Sequence, residues 1–268
     1  MPLSLVHHCR MSAIHSTLAG KTVLITRSAE QAETTAIKIR ERGGEALFLP
    51  CLEIECLPEN SLQSVSILES PHIEVLFTSR NGVECVASAL GDKFANIIGD
   101  RRVAAVGSKT AAALNRYGIK PELIPQTASQ QGLLDAYRES GIPEKLLFFR
   151  AEEGNDMLQH SLDKLGCEVT TLYPYRMKCP ESDVSKVVEK LKRREIDGLI
   201  LGSPKTVENY IKRVGSIETA NSPALAVISS QVAKAAEDAG LSVQAVAKTA
   251  SFDAMLDALS NYFNNSGA

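Results

Sequence analysis

Long apolar runs are missing from this sequence. None approaches the roughly 18 residues of a membrane-spanning helix, so a membrane is not expected as a partner. Positive charge is not in excess either. Lys and Arg number 29 against 32 Asp and Glu, for a formal net charge of −3 and a pI near 6.0. No basic field draws nucleic acid or an anionic lipid surface, and any anionic ligand must be held by local donors. The cysteines Cys9, Cys51, Cys56, Cys85, Cys167 and Cys179 form no C-x-x-C pair. No zinc framework is expected, and all six are read as reduced thiols of a cytoplasmic protein. Three of the five histidines fall before residue 16, and H-E-x-x-H is absent. G-x-G-x-x-G is absent too. "GKT" at Gly20–Thr22 precedes a strand rather than following one, with His15 where a P-loop needs its first glycine. These gaps exclude NAD, FAD and ATP sites. Without a G-x-S-x-G elbow, a hydrolase triad lacks support.

What is present suits two domains. The 268 residues, 44% apolar and 23% charged, can bury two cores. The first twenty residues contain no acid, and "LSLV" is too short for a secretory signal. They are read as a disordered or targeting tail. A transit segment there would place the protein in an organellar stroma or matrix.

Four helix-like segments end in glycine, at Gly44, Gly118, Gly166 and Gly240. The first pair and the last pair are each 74 residues apart, and the two pairs are offset by 122. Glycine there relieves the left-handed geometry that ends a helix. The residues between also correspond. "VAAVGSKTAAALNRYG" aligns with "LAVISSQVAKAAEDAG", "PQTASQQGLLDAY" with "AKTASFDAMLDAL", and "KTVLITR" with "EKLLFFR". An internal duplication follows. The strand-like runs "TVLIT", "EVLFT", "RVAAV", "KLLFF", "DGLIL" and "ALAVI" are short and continuously apolar, as parallel strands buried on both faces require. Alternation with helices makes each domain a doubly wound parallel α/β sheet. "SIETANSP" reads as a loop and "NNSGA" as a loose tail.

Ligands of such sheets gather at the carboxyl ends of the strands. The turns there are "TRSAEQ", "TSRNG", "GSKT", "RAEEG", "GSPKT" and "SSQ". They offer Arg27; Thr78, Ser79 and Arg80; Ser108, Lys109 and Thr110; Arg150; Ser203 and Lys205; and Ser229, Ser230 and Gln231. Helix N-termini with hydroxyls and nearby cations favour anions. The plainer reading is that each Ser or Thr only caps its helix. The five cations clustered in one kind of turn favour the ligand reading.

"LFLPCLEIECLPEN" and "TLYPYRMKCPES" hold equivalent places in the two halves, each with two prolines. Proline removes a ladder donor, which suits sheet edges or interdomain crossovers. In "TLYPYR", alternation puts Thr171, Tyr173 and Tyr175 on one face and Leu172, Pro174 and Arg176 on the other. The tyrosines either fill a core or stand at a site.

"LITR", "FTSRNGV", "VGSKTA", "LLFFRAEEG", "LYPYR", "LILGSPKTVENY" and "TASFDAMLDAL", in that order over residues 21 to 263, resemble the uroporphyrinogen-III synthase family. The resemblance implies two flavodoxin-like domains joined by a two-stranded linker. One domain would comprise residues 21–49 and 176–265 and the other residues 54–170, with linkers near 50–53 and 171–175. It implies a cyclising lyase of tetrapyrrole biosynthesis, feeding heme, chlorophyll or cobalamin. The enzyme would close hydroxymethylbilane to uroporphyrinogen III with inversion of ring D and loss of water. No cofactor or metal is implied, and the protein would be a monomer that receives its substrate by transient handover from hydroxymethylbilane synthase. Tyr173 falls on the family's frequently retained tyrosine, whose implied role is to assist departure of the hydroxyl. Ser203 matches a substrate-binding serine. The family's "GxxTA" is "SSQVA" here, so Val232 replaces a threonine. The competing reading is a non-catalytic two-lobed binding or sensor protein for a small anionic metabolite.

Overall fold

The computed structural model of the chain describes residues 18–266. Most of the expected tail over residues 1–20 lies outside them. Leu18 does not belong to a tail, because its side chain is fully buried and its amide bonds the Arg42 carbonyl at 3.0 Å. Ten strands are present among the described residues: β1 (Thr22–Ile25), β2 (Glu45–Phe48), β3 (Glu53–Cys56), β4 (Ile73–Phe77), β5 (Val103–Ala105), β6 (Lys145–Ala151), β7 (Glu168–Lys178), β8 (Gly198–Leu201), β9 (Ala224–Val227) and β10 (Ala245–Val246). They form two sheets, ordered β10-β9-β8-β1-β2 and β3-β7-β6-β4-β5. The chain divides into two compact units, one of residues 18–53 with 179–266, the other Ile54–Lys178.

In the first unit, chain order maps onto spatial order as 2-1-3-4-5, the doubly wound pattern of flavodoxin-like sheets. The second unit follows the same pattern if counting starts at β6. It then runs β7-β6-β4-β5, with Leu123 bridged in parallel to Ala104 as a fifth position. Each sheet therefore takes its first two strands from one half of the duplication and the rest from the other half. Two α/β sheets from an internal duplication are the class that the alternating pattern predicts.

Both faces of each sheet are covered, as the continuous apolar runs require. In the first unit, Leu24, Leu199, Leu201 and Val227 pack with Tyr210 on one face. Val23, Ile25, Ile200 and Ala226 pack with Met255 and Leu259 on the other. In the second, Val75, Phe77, Leu147 and Phe149 pack with Val83 and Leu114, and the Phe77 and Phe149 rings stack at 4.7 Å. Leu76 and Phe148 face Leu133, Tyr137 and Leu158. Each such side chain contributes about 1.5–3 kcal/mol by burial.

Several local expectations are corrected. The left-handed residue after the first helix is Gly43 (φ 79°), not Gly44. Gly44 is needed for space, since a Cβ there would lie 3.0 Å from Ile39 and 3.1 Å from Leu18. Asn264, Asn265 and Ser266 of "NNSGA" are not a loose tail but the end of the last helix, Phe252–Ser266, and Gly267 and Ala268 lie outside the described residues. "SIETANSP" contains a helical turn, Ile217–Ala220, capped by Ser216. Cys56 and Cys85 are not thiols but a disulfide, tying β3 to the helix Arg80–Leu90 across a sequence separation of 29. Spacing could not show this, because the fold brings their Cα atoms to 5.4 Å. Cys51 and Cys167 are buried thiols, each pushed up to about 12 by burial. Cys9 lies outside the described residues.

The proline of "TLYPYR" predicts a sheet edge or crossover. Residues 171–176 instead run inside β7, an 11-residue strand flanked by β3 and β6. The chain leaves this unit after Lys178. Pro174 is tolerated because the β6–β7 ladder slips there. Phe149 pairs with Leu172 and Ala151 with Tyr175, so three residue steps of β7 match two of β6. This is a β-bulge.

Candidate functional site

In a 2-1-3-4-5 sheet the ligand crevice opens where strand order reverses, between the carboxyl ends of strands 1 and 3. That point lies between β1 and β8 in the first unit and between β6 and β4 in the second. The turns leaving β1, β8 and β4 begin at Thr26, Gly202 and Thr78 and carry Arg27, Ser203 with Lys205, and Ser79 with Arg80, whereas Arg150 lies not in a turn but on β6 itself, one residue before its end.

In the first unit, the Arg27 guanidinium lies 3.7 Å from the centroid of Phe252, with Nη1 3.4 Å from Thr35 Oγ1. Partial burial lowers its pKa from the usual arginine value. Phe252 also closes on Gly202, where a Cβ would come within 3.0 Å of its ring. Phe252 thus joins the turns after β1 and β8, and only its place in "TASFDAMLDAL" hints at it. Ser203 caps the helix Pro204–Val214 in a reciprocal box. Its Oγ accepts from the Thr206 amide at 3.2 Å, and its own amide donates to Thr206 Oγ1 at 3.0 Å. Lys205 is exposed and pairs with Glu208 at 2.9 Å. Ser229 caps the helix Ser230–Asp238, accepting from the Val232 amide at 3.4 Å. Ser230 and Gln231 are exposed at that helix start, while Val232 is buried.

In the second unit, Ser79 caps the helix Arg80–Leu90 through the Gly82 amide at 2.9 Å. Its oxygen also accepts from the Tyr175 hydroxyl at 2.8 Å. Thr78 Oγ1 donates to the Phe149 carbonyl at 3.3 Å, and Arg80 is half-buried on the first turn. Ser108 and Lys109 are exposed at the start of the helix Ser108–Asn115, but Thr110 is 3% exposed and faces inward. The helix-capping reading thus holds for Ser79, Ser203 and Ser229. It does not remove Ser79 and Ser229 as ligands of a substrate, because a capping hydroxyl keeps its own hydrogen to donate, whereas the Ser203 hydroxyl already donates to Thr206 Oγ1 at 3.3 Å.

Arg150 is the least exposed of the nominated cations, with 5% of its side chain accessible. It pairs with Asp156, donates from Nη1 to the Ala151 carbonyl at 3.1 Å, and donates from Nη2 to the Tyr173 hydroxyl at 3.3 Å. Its guanidinium carbon stands 4.8 Å from the Tyr173 ring centroid. Tyr173 itself is half-buried.

The bulge overturns the shared face expected for the two tyrosines. Thr171 bonds Gln159 of the helix Met157–Lys164, and Tyr173 reaches Arg150, whose neighbours in alternation are Leu146 and Phe148. Tyr175 packs instead on Gly82 and Ser79, on the side of Phe77 and Phe149. Burial raises the Tyr175 phenol above its usual value. The extra residue of the bulge separates a packed ring, Tyr175, from one beside the Arg150 guanidinium, Tyr173. Among the described residues, no cluster of side chains has a metal-binding arrangement, and no helix is long and apolar enough to cross a membrane.

A family model described as "Uroporphyrinogen-III synthase HemD" matches residues 33–257. The chain is 29% identical over 195 residues to a putative uroporphyrinogen-III synthase of Methanothermobacter thermautotrophicus, covering 72% of this chain and 77% of that protein. It is 26% identical to a uroporphyrinogen-III synthase of Synechococcus elongatus, covering 74% and 76%. A solved uroporphyrinogen-III synthetase of Helicobacter pylori shares the fold, with a TM-score of 0.61, 17% identity, and coverage of 92% of this chain and 99% of that one.

Proposed function

The chain belongs to the uroporphyrinogen-III synthase family, and on that premise we propose how its residues serve the cyclisation. The protein is an enzyme of tetrapyrrole biosynthesis, a cyclising lyase whose family substrate is a tetrapyrrole. Family membership sets aside the non-catalytic sensor reading.

In this proposal the substrate is hydroxymethylbilane, with eight carboxylates. Its ring A hydroxyl departs to leave an azafulvene, and ring D attacks through its substituted α-carbon to give a spiro intermediate. Fragmentation and reclosure through the other α-carbon, with loss of a proton, yield uroporphyrinogen III and water. The unassisted reaction closes without inversion, so the enzyme chiefly holds a conformation. Tyr173 donates its hydroxyl hydrogen to the departing oxygen. The carboxylates meet Arg27, Thr78, Ser79, Arg80, Ser108, Lys109, Ser203, Lys205, Ser229, Ser230 and Gln231 through charge-assisted bonds. Thr110 acts by packing its helix start, as its burial suits. The protein works as a monomer that takes its substrate from hydroxymethylbilane synthase, in the cytoplasm or an organellar equivalent.

The observation that carries the catalytic assignment is the Tyr173 hydroxyl beside a buried guanidinium at the bulge of β7. The test generates hydroxymethylbilane with its deaminase, adds the protein, and separates the product isomers. Type III isomer is expected. Only type I, at the spontaneous rate, would sink the reading.

A further inference from the structure

Arg150 was expected among the substrate's ligands, yet its surroundings close it off. A Cβ on Gly154 would lie 2.5 Å from Nη1 and 3.5 Å from Cδ, so the turn after β6 fits over the side chain only because residue 154 is glycine. Asp156 and the Ala151 carbonyl hold the guanidinium from the protein side. On its other side the guanidinium meets the Tyr173 ring and hydroxyl.

Guanidinium has five N–H donors and no acceptor. In the Nη2 contact, the Tyr173 oxygen must therefore accept. A phenol that accepts from a fixed donor turns its own hydrogen elsewhere. The guanidinium beside the ring also restrains its rotation. We propose that Arg150 is the positioning residue of Tyr173, holding the phenol oxygen so that its hydrogen is presented to the departing hydroxyl of the substrate. This rests on the catalytic reading of Tyr173 above. Arg150 touches no reacting atom and binds no carboxylate of the substrate.

The test is a double-mutant cycle in the isomer-resolved assay, with Tyr173→Phe, Arg150→Met and the double variant. Arg150→Met is expected to lower kcat by about tenfold to hundredfold, the scale of a misplaced reacting group, with KM nearly unchanged. The double variant should be no slower than Tyr173→Phe alone, because Arg150 acts only through that hydroxyl. Arg150→Lys, which keeps a charged donor, should restore part of kcat. If Arg150→Met does not fold, Gly154→Ala displaces the guanidinium in place of removing it, and the same cycle applies. Two results overturn the proposal alone: equal losses in the Tyr and Phe backgrounds, or a raised KM with kcat kept, which would mark a carboxylate ligand. Wild-type kcat in Tyr173→Phe overturns both the proposal and the catalytic reading of Tyr173.

Discussion

Arg27 and Arg150 are the same residue of a duplicated scaffold. By strand register, Thr22 and Lys145, Glu45 and Glu168, and the two arginines all stand 123 residues apart. Their aromatic partners differ. Arg27 lies on Phe252, at the start of the last helix. The aligned residue in the other unit is Gln130, which instead accepts from the Leu158 amide and reaches the Asn155 carbonyl. Arg150 turns to Tyr173, whose counterpart 123 residues earlier is Pro50. One unit thus has an arginine on a ring with no polar handle, and the other has one on a ring with a hydroxyl. A duplicated frame supplies two equivalent arginine positions, and one substitution with a bulge sets a phenol hydroxyl beside only one of them.

The largest expected effect separates the units by stability. The Cys56–Cys85 bridge lies wholly in the second unit. Opening it with a dithiol reductant should remove roughly 3–4 kcal/mol there, by releasing chain entropy of the unfolded loop. Hydrogen exchange should quicken in β3 and the helix Arg80–Leu90 and stay unchanged in β1, β8 and β9. Equal loosening of both units would show that their stabilities are not separable.

Tyr173→Phe should slow type III formation by about 100-fold or more, the scale of a lost proton donor. Its thermal stability should fall by about 1 kcal/mol or less, the worth of one hydrogen bond. Phe252→Leu on the other unit should leave kcat within a few-fold. A reversed ranking would move the chemistry to the first unit.

The two caps sharpen the contrast on a smaller scale. Ser203→Ala loses a helix cap worth about 1 kcal/mol. Ser79→Ala loses a cap and also strands the Tyr175 hydroxyl, on a residue 6% exposed. It should cost about 2–3 kcal/mol in denaturant titrations. Equal costs would mean that the Tyr175 contact contributes nothing.

The smallest effect is a dependence on pH that both units share. Hydrogen bonds from Arg176 and Lys178 lower the Glu55 pKa. Hydrogen bonding from Lys38 does the same for Asp253 in the first unit. A depressed carboxyl stabilises the fold above its unfolded pKa of about 4 and loses that contribution as pH falls through the folded value. Exchange protection around β3 and the last helix should therefore decline together on acidification below about pH 4. Protection that rises on acidification would contradict the direction.

Much of the scaffold was legible in advance. Apolar runs located β1, β4, β5, β6, β8 and β9, because strands buried on both faces tolerate little polarity. Repeated turn chemistry located the strand ends. What escaped depends on side-chain packing, some of it between residues distant in sequence. Arg150 and Arg27 look alike in "LFFR" and "LITR", yet Asp156 and Gly154 bury the first, and Phe252, 225 residues away, covers the second. Tyr173 and Tyr175 were put on one face because alternation assumes an unbroken ladder. Ladder slippage shows only when β6 lies beside β7. Cys56 and Cys85 carry no local mark of pairing.

The sequence by itself determined the class of fold and the duplication, because periodicity, helix caps and turn residues act within a few positions, and the order of its motifs carried the resemblance to the family. The tertiary structure alone decided where the chain leaves the second unit, which arginine is buried, and which tyrosine of "TLYPYR" meets Arg150. Those depend on one extra residue in a strand register and on side chains brought together from far along the chain. Neither leaves a trace in local pattern, because the pattern constrains what each segment can be and not which segment becomes its neighbour.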